Sequence, residues 1–140
     1  MFRKVACLFV VAFILAPAML IAQNANKEKA AVASAEKWLG LIDKGEYAAS
    51  WKEAGTFFRN NVTEQKWEQA MHGMRKPLGS LVSRKLKTAM YKTSLPGAPD
   101  GEYVVMQFDT SFAKKKSALE TVTTVLDKDG QWRAVGYFIR

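Results

Sequence analysis

The spacing of hydrophobic positions changes period once along this chain, from three-and-four to two. Between Asn26 and Lys44 the apolar residues Val32, Ala35, Trp38, Leu39 and Ile42 recur three and four apart, the signature of an amphipathic helix. Gly45 sits where a helix C-terminus favours glycine. A second, shorter helix is expected over Glu46–Ala54, stopped by Gly55. The following stretch, Thr56–Val62, reads as a linking turn that tucks a phenylalanine beneath the helices. Thr63 is a good N-cap for a further helix with Glu64 in its first turn, Trp67, Ala70, Met71 and Met74 on its apolar face, and Pro77 and Gly79 closing it.

From Leu81 onward the period is two. Leu81–Thr93 reads as a strand with Leu86, Thr88 and Met90 on one face and Lys85, Lys87 and Tyr91 on the other. The turn Pro96–Gly101 joins it to a central strand. There Val104, Met106, Phe108, Thr110 and Phe112 alternate with Tyr103, Val105, Gln107, Asp109 and Ser111. A basic turn over Ala113–Ser117 leads to a strand over Leu119–Leu126. Asp129-Gly130 is a hairpin signal, and Gln131–Arg140 forms the last strand. Helices followed by a strand meander predict an α+β domain, two or three N-terminal helices packed on a curved four-stranded antiparallel sheet. The order is similar to the cystatin-like folds of the nuclear-transport-factor-2-like superfamily.

The first residues do not belong to that domain. Arg3 and Lys4 precede an unbroken apolar run, Val5–Ala22, in which Pro17 lies just before the small residues Ala18, Ala22 and Ala25. This is the layout of a cleavable signal peptide over residues 1–22, followed by a short flexible linker over 23–28 and the domain over 29–140. The expected location is periplasmic or secreted; the alternative is a membrane anchor formed by an uncleaved N-terminal segment. Cys7, the single cysteine, falls inside the signal, so the mature chain has no disulfide and no thiolate ligand or nucleophile. Removing Arg3 and Lys4 lowers the formal net charge from +8 to +6. The basic residues are scattered, without the interleaved stacking aromatics of a nucleic-acid site, and export argues against such a partner.

Together the residues resemble a known family. Ala35-Glu36-Lys37-Trp38-Leu39, Asp43-Lys44-Gly45-Glu46-Tyr47, Ser50-Trp51 and Phe58-Arg59 mark one block. Pro77 through Leu86, Leu95 through Phe108, Glu120-Thr121-Val122 and Gly136-Tyr137-Phe138-Ile139-Arg140 mark the rest. The chain resembles a domain-of-unknown-function family of short exported bacterial proteins. That resemblance implies export and architecture; it supplies no catalytic residues.

The chemistry in the chain is sparse. His72, the one histidine, has Glu68 four residues earlier on the same helix, and Asp109 lies on the central strand; these are the two acid–base candidates for a small cavity enzyme. No metal-ligand spacing, phosphate loop or nucleophile elbow is present, and no cofactor is expected. The best signal for a pocket is aromatic and basic: Trp38, Tyr47, Trp51, Trp67, Tyr103 and Tyr137, with Arg59, Arg75 and Arg84 able to line a rim that favours an anion. The leading expectation is a non-catalytic domain that binds a small ligand or an envelope protein through a helix–sheet cleft. A self-associating envelope component, joined through sheet edges, is a third possibility.

Overall fold

The computed structural model describes residues 16–140. Arg3, Lys4, Cys7 and most of the apolar run lie outside the described residues. The elements run α1 (Ala16–Asp43), α2 (Tyr47–Glu53), α3 (Thr56–Asn61) and α4 (Glu64–Met74), then a 3-10 turn at Lys76–Leu78, β1 (Leu81–Lys92), β2 (Tyr103–Phe112), β3 (Lys115–Leu126) and β4 (Trp132–Ile139). The strands form one antiparallel sheet in the order β1-β2-β3-β4. The fold is therefore α+β, helices first and a four-stranded meander after them.

α1 crosses the inner face of all four strands. Its buried stripe is Ala31, Ala35, Trp38, Leu39 and Ile42, packed on Val104, Met106 and Phe108 of β2 and Val122 of β3. The helix ends in a glycine-dependent cap. Gly45 takes a positive φ of 75°, its N–H donates to Ile42 O, and the Glu46 N–H donates to Leu41 O. At the start of α4, Thr63 Oγ1 accepts the Lys66 N–H, as the N-cap pattern requires.

Four sequence expectations change. Residues 23–28, read as a linker, continue α1. Their alanine, lysine and glutamate favour helix, and Lys27 and Glu28 bond to Glu102 and to the Tyr91 N–H. Thr56–Asn61 is a short helix rather than a turn, giving four α-helices among the described residues where the sequence predicts two or three. Gly55 enters it extended and Asn61 Nδ2 donates to Phe57 O one turn back. β3 begins at Lys115, so the basic segment is mostly strand around a two-residue turn. In β1 a register shift between Leu86 and Thr88 reverses the alternation. Past the shift Ala89 and Tyr91 oppose the buried Met106 and Val104, while Met90 turns outward and is 52% exposed; before it, Arg84 opposes the buried Thr110.

The outer face of the sheet carries rows such as Thr88, Gln107, Thr121 and Phe138, or Met90, Val105, Thr123 and Gly136. Among the described residues no helix is long and apolar enough to cross a membrane.

Candidate functional site

Strand alternation places one acidic residue on the inner face. Glu120 lies in phase with Ala118, Val122 and Thr124 and is completely buried. Burying a carboxylate is costly unless its lone pairs are filled. Here they are: Arg84 donates from Nε at 2.7 Å and Nη2 at 3.1 Å, Thr110 donates from Oγ1 at 2.6 Å, and the Tyr137 hydroxyl donates as well. Arg84 reaches across to the last residue of α1, where Nη1 and Nη2 grip Asp43 at 2.7 and 2.9 Å. Arg75, almost fully buried, donates to the same carboxylate at 3.2 Å and to Gly79 O at 2.6 Å, with its guanidinium 4.3 Å from the Phe112 ring.

Two carboxylates and two guanidiniums thus form a neutral set that ties the end of α1 to β1, β3, β4 and the loop after α4. Burial opposes the Arg84 charge, but its bonds to Asp43 and Glu120 outweigh that and raise its pKa. Burial, then the charge of Glu120, hold the Tyr137 phenol far above its ordinary value. Every acidic oxygen in this set meets a fixed donor. The arrangement is a clamp rather than an acid–base pair awaiting substrate.

The aromatic candidates gather into one packed group. Trp38 stacks on Trp67 at 5.8 Å between ring centroids and meets Tyr137 edge-on at 5.7 Å, and Phe58 meets Trp67 edge-on at 5.1 Å. Their polar atoms are used internally. Trp38 Nε1 donates to Ser50 O, Trp67 Nε1 to Ser50 Oγ, and Trp51 Nε1 to Val62 O. Tyr47 is buried, its ring 5.1 Å from His72. Arg59 donates to Ala54 O. Trp67, Trp51 and Tyr137 are therefore scaffold, while Trp38, Tyr47, Arg59 and Arg75 border open space.

That open space includes a groove and a cleft, besides a hollow of about 300 Å3 that Arg59 borders with Asp127 and Arg133. A groove of about 550 Å3 runs between α1, α2 and the start of β4, walled by Trp38, Leu41, Ala49 and Trp132 with Lys37 and Gln131 at its rim. Ser34, Lys37, Trp38 and Leu41 follow helical spacing, so one flank of α1 forms a whole wall. Arg133 closes one side, bonded to Glu53 and Asp129. A smaller cleft of about 340 Å3 lies at the other end of the domain, where α1 and α4 both finish; Asp43, Tyr47, His72 and Arg75 line it.

The acid–base candidates fall outside any enclosed cavity. Asp109 is on the outer face of the sheet, its side chain 63% exposed and 4.0 Å from Lys87. His72 is exposed at the margin of the smaller cleft. The edge strand β1 carries two register shifts, four Lys or Arg side chains and a side-chain acceptor, Glu28, on the Tyr91 N–H, all features that oppose strand addition.

Sequence reasoning missed Asp43, Thr110 and Glu120. The usable signal for Glu120 was its phase: a carboxylate between Ala118 and Val122 must point the way they do.

The fold and clamp define a small α+β domain with helices locked over one face of a sheet and two concave surfaces beside them. The chain belongs to the family of proteins of unknown function DUF4019, matched over residues 34–137, a span that takes in the clamp from Asp43 to Tyr137. No curated protein matches the chain.

Proposed function

We propose that this is an exported, non-catalytic domain that binds a small ligand or a partner protein in the cell envelope through the groove between α1, α2 and β4. The observation that carries the reading is the groove itself. Its volume of about 550 Å3 lies in the range of small-molecule sites. Its walls combine two indole rings and aliphatic surface with a few polar groups at the rim, the composition that gives affinity from apolar burial and orientation from hydrogen bonds. The buried titratable groups are already committed to one another, which favours binding over chemistry. The similarity of the element order to the nuclear-transport-factor-2-like superfamily also supports a site on the helix side of the sheet.

Export rests on the N-terminal pattern, with cleavage near Ala22 or Ala25. Met19, Leu20 and Ile21 are 61, 58 and 70% exposed, and among the described residues the first with side-chain bonds beyond α1 are Lys27, to Glu102, and Glu28, to the Tyr91 N–H. Losing everything before them removes none of those contacts. Native mass spectrometry of the protein recovered from its own envelope compartment tests the proposal. The expected spectrum shows a mature chain starting near Gln23 or Asn26 and carrying a bound species that a Leu41→Glu variant, still folded, has lost. A bare chain under every condition, or a species retained equally by the variant, would count decisively against it.

A further inference from the structure

The smaller cleft carries a separate site. We propose that it binds a phosphate-type dianion. Its lining includes Lys44, His72, Arg75 and Lys76 against a single carboxylate, Asp43. That carboxylate is spent: Arg84 holds both of its oxygens and Arg75 one of them. Asp43, Glu120, Arg75 and Arg84 sum to zero, which leaves the two lysines uncompensated. Among the described residues neither Lys44 nor Lys76 forms an ion pair.

The ends of α1 and α4 both lie here, and helix C-termini are the negative ends of their dipoles. Each is equivalent to roughly half an elementary charge, and their last turns are already partly satisfied by the Gly45, Glu46, Arg75 and Gly79 N–H groups. About one negative charge in total does not cancel two ammonium groups, so the cleft keeps a net positive potential. Arg75 adds a further sign of an open demand: its Nε is buried and has no hydrogen-bond partner among the described residues. Ammonium groups act as rotatable point charges with three donors each, and the Ser80 hydroxyl and His72 ring stand beside them. Two ammonium groups, a hydroxyl and an imidazole lining one small space offer enough donors for the several oxygens of a phosphate. Such a group could be free phosphate or the monoester phosphate of a lipid headgroup.

The full mature chain is titrated with inorganic phosphate at constant ionic strength, following the Ser80 amide and the His72 ring by NMR, with chloride as control. The site predicts saturable shifts at both. It also predicts that Lys44→Gln with Lys76→Gln weakens phosphate by about tenfold or more, having removed two charged contacts. Both side chains are exposed, so this variant keeps the unfolding midpoint of the parent. In a second arm the chain is sedimented with vesicles containing phosphatidic acid, whose headgroup is a phosphate monoester. Vesicle binding that phosphate displaces and the double variant loses assigns the headgroup; saturable phosphate without vesicle binding assigns a soluble phosphate. Shifts that chloride reproduces, shifts that never saturate, or a double variant that binds like the parent would overturn the site. Leu41→Glu leaves this titration unchanged, so failure here and failure of the groove are read separately.

Discussion

Replacing Glu120 by glutamine tests the clamp with almost no change in volume. The carboxylate receives four donor atoms: Arg84 Nε and Nη2, Thr110 Oγ1 and the Tyr137 hydroxyl. A glutamine offers one oxygen in place of two, and its NH2 group turns a donor toward donors. At least one neutral hydroxyl loses its acceptor, and Arg84 keeps Asp43 as its one charged partner. Breaking one partner out of a buried pair costs about 3–5 kcal/mol. Set against a total of roughly 5–15 kcal/mol for a domain, that is a large share. With an urea m-value of about 1.5 kcal/mol per molar, the unfolding midpoint falls by roughly 2–3 M. Equilibrium urea unfolding at neutral pH, followed by far-UV circular dichroism, reads it directly. Tyr137→Phe alone costs about 1–2 kcal/mol through one lost bond to a charged group. The two together cost less than their sum, with a coupling of about 0.5–3 kcal/mol. Should Glu120→Gln leave too little folded protein to measure, the Tyr137→Phe loss stands as the reading. A Glu120→Gln loss below about 1 kcal/mol, or strict additivity with Tyr137→Phe, would refute the argument that these groups form one dry, coupled network.

Other expectations follow from the same geometry. Gly55→Ala would set a Cβ 2.7 Å from Val135 Cγ1 and 3.2 Å from Val125 Cγ1; the overpacking costs about 1–3 kcal/mol in a thermal or urea melt. Thr63→Ala loses the cap on the Lys66 N–H and lowers stability by about 1 kcal/mol. Burial, chiefly, raises the phenols of Tyr91, Tyr103 and Tyr137 above their ordinary value. The folded state therefore holds these protons more tightly than the unfolded chain. Their contribution is complete below about pH 10 and is lost as the pH rises beyond it. Urea midpoints between pH 9 and 12 should fall, and fall less steeply for Tyr137→Phe. Asp109→Ala, on the open face with only a long contact to Lys87, changes stability by no more than about 0.5 kcal/mol in the same assay.

Much of the architecture can be read from period alone. The burial of Val104, Met106, Phe108, Thr110 and Phe112 along β2 follows their alternation, with Tyr103 at the strand's start buried out of phase, and Thr63 caps α4 as its side chain suggests. What could not be read depends on contacts far apart in sequence. The bulge in β1 flips Met90 and Tyr91, and no local residue announces it, because the shift is set by pairing with Gln107 and Phe108. Phe57-Phe58-Arg59 carries no helical stripe, yet a helix forms because Phe58 has Trp67 to pack on and Asn61 a carbonyl one turn back. The clamp is the clearest case. Asp43, Arg84 and Glu120 each look like ordinary surface charges until the sheet brings them together, although the phase of Glu120 marked it as inward. The groove escapes sequence reading for a different reason: Trp38 and Trp132 are far apart in the chain, and only the packing of α1 beside β4 makes them two walls of one space.

The indole N–H groups offer the most direct test of binding through that groove. The four tryptophans are natural reporters, since Trp38 and Trp132 line it while Trp67 and Trp51 are held on Ser50 and Val62 in the scaffold. Proton–nitrogen correlation spectra of the mature protein are recorded before and after addition of soluble envelope extract from its source organism. The account predicts that the Trp132 signal moves saturably, that of Trp38 less because its N–H is held on Ser50 O, while those of Trp51 and Trp67 stay, and that Leu41→Glu abolishes the change. Four unmoved indoles, or shifts confined to Trp51 and Trp67, would contradict it.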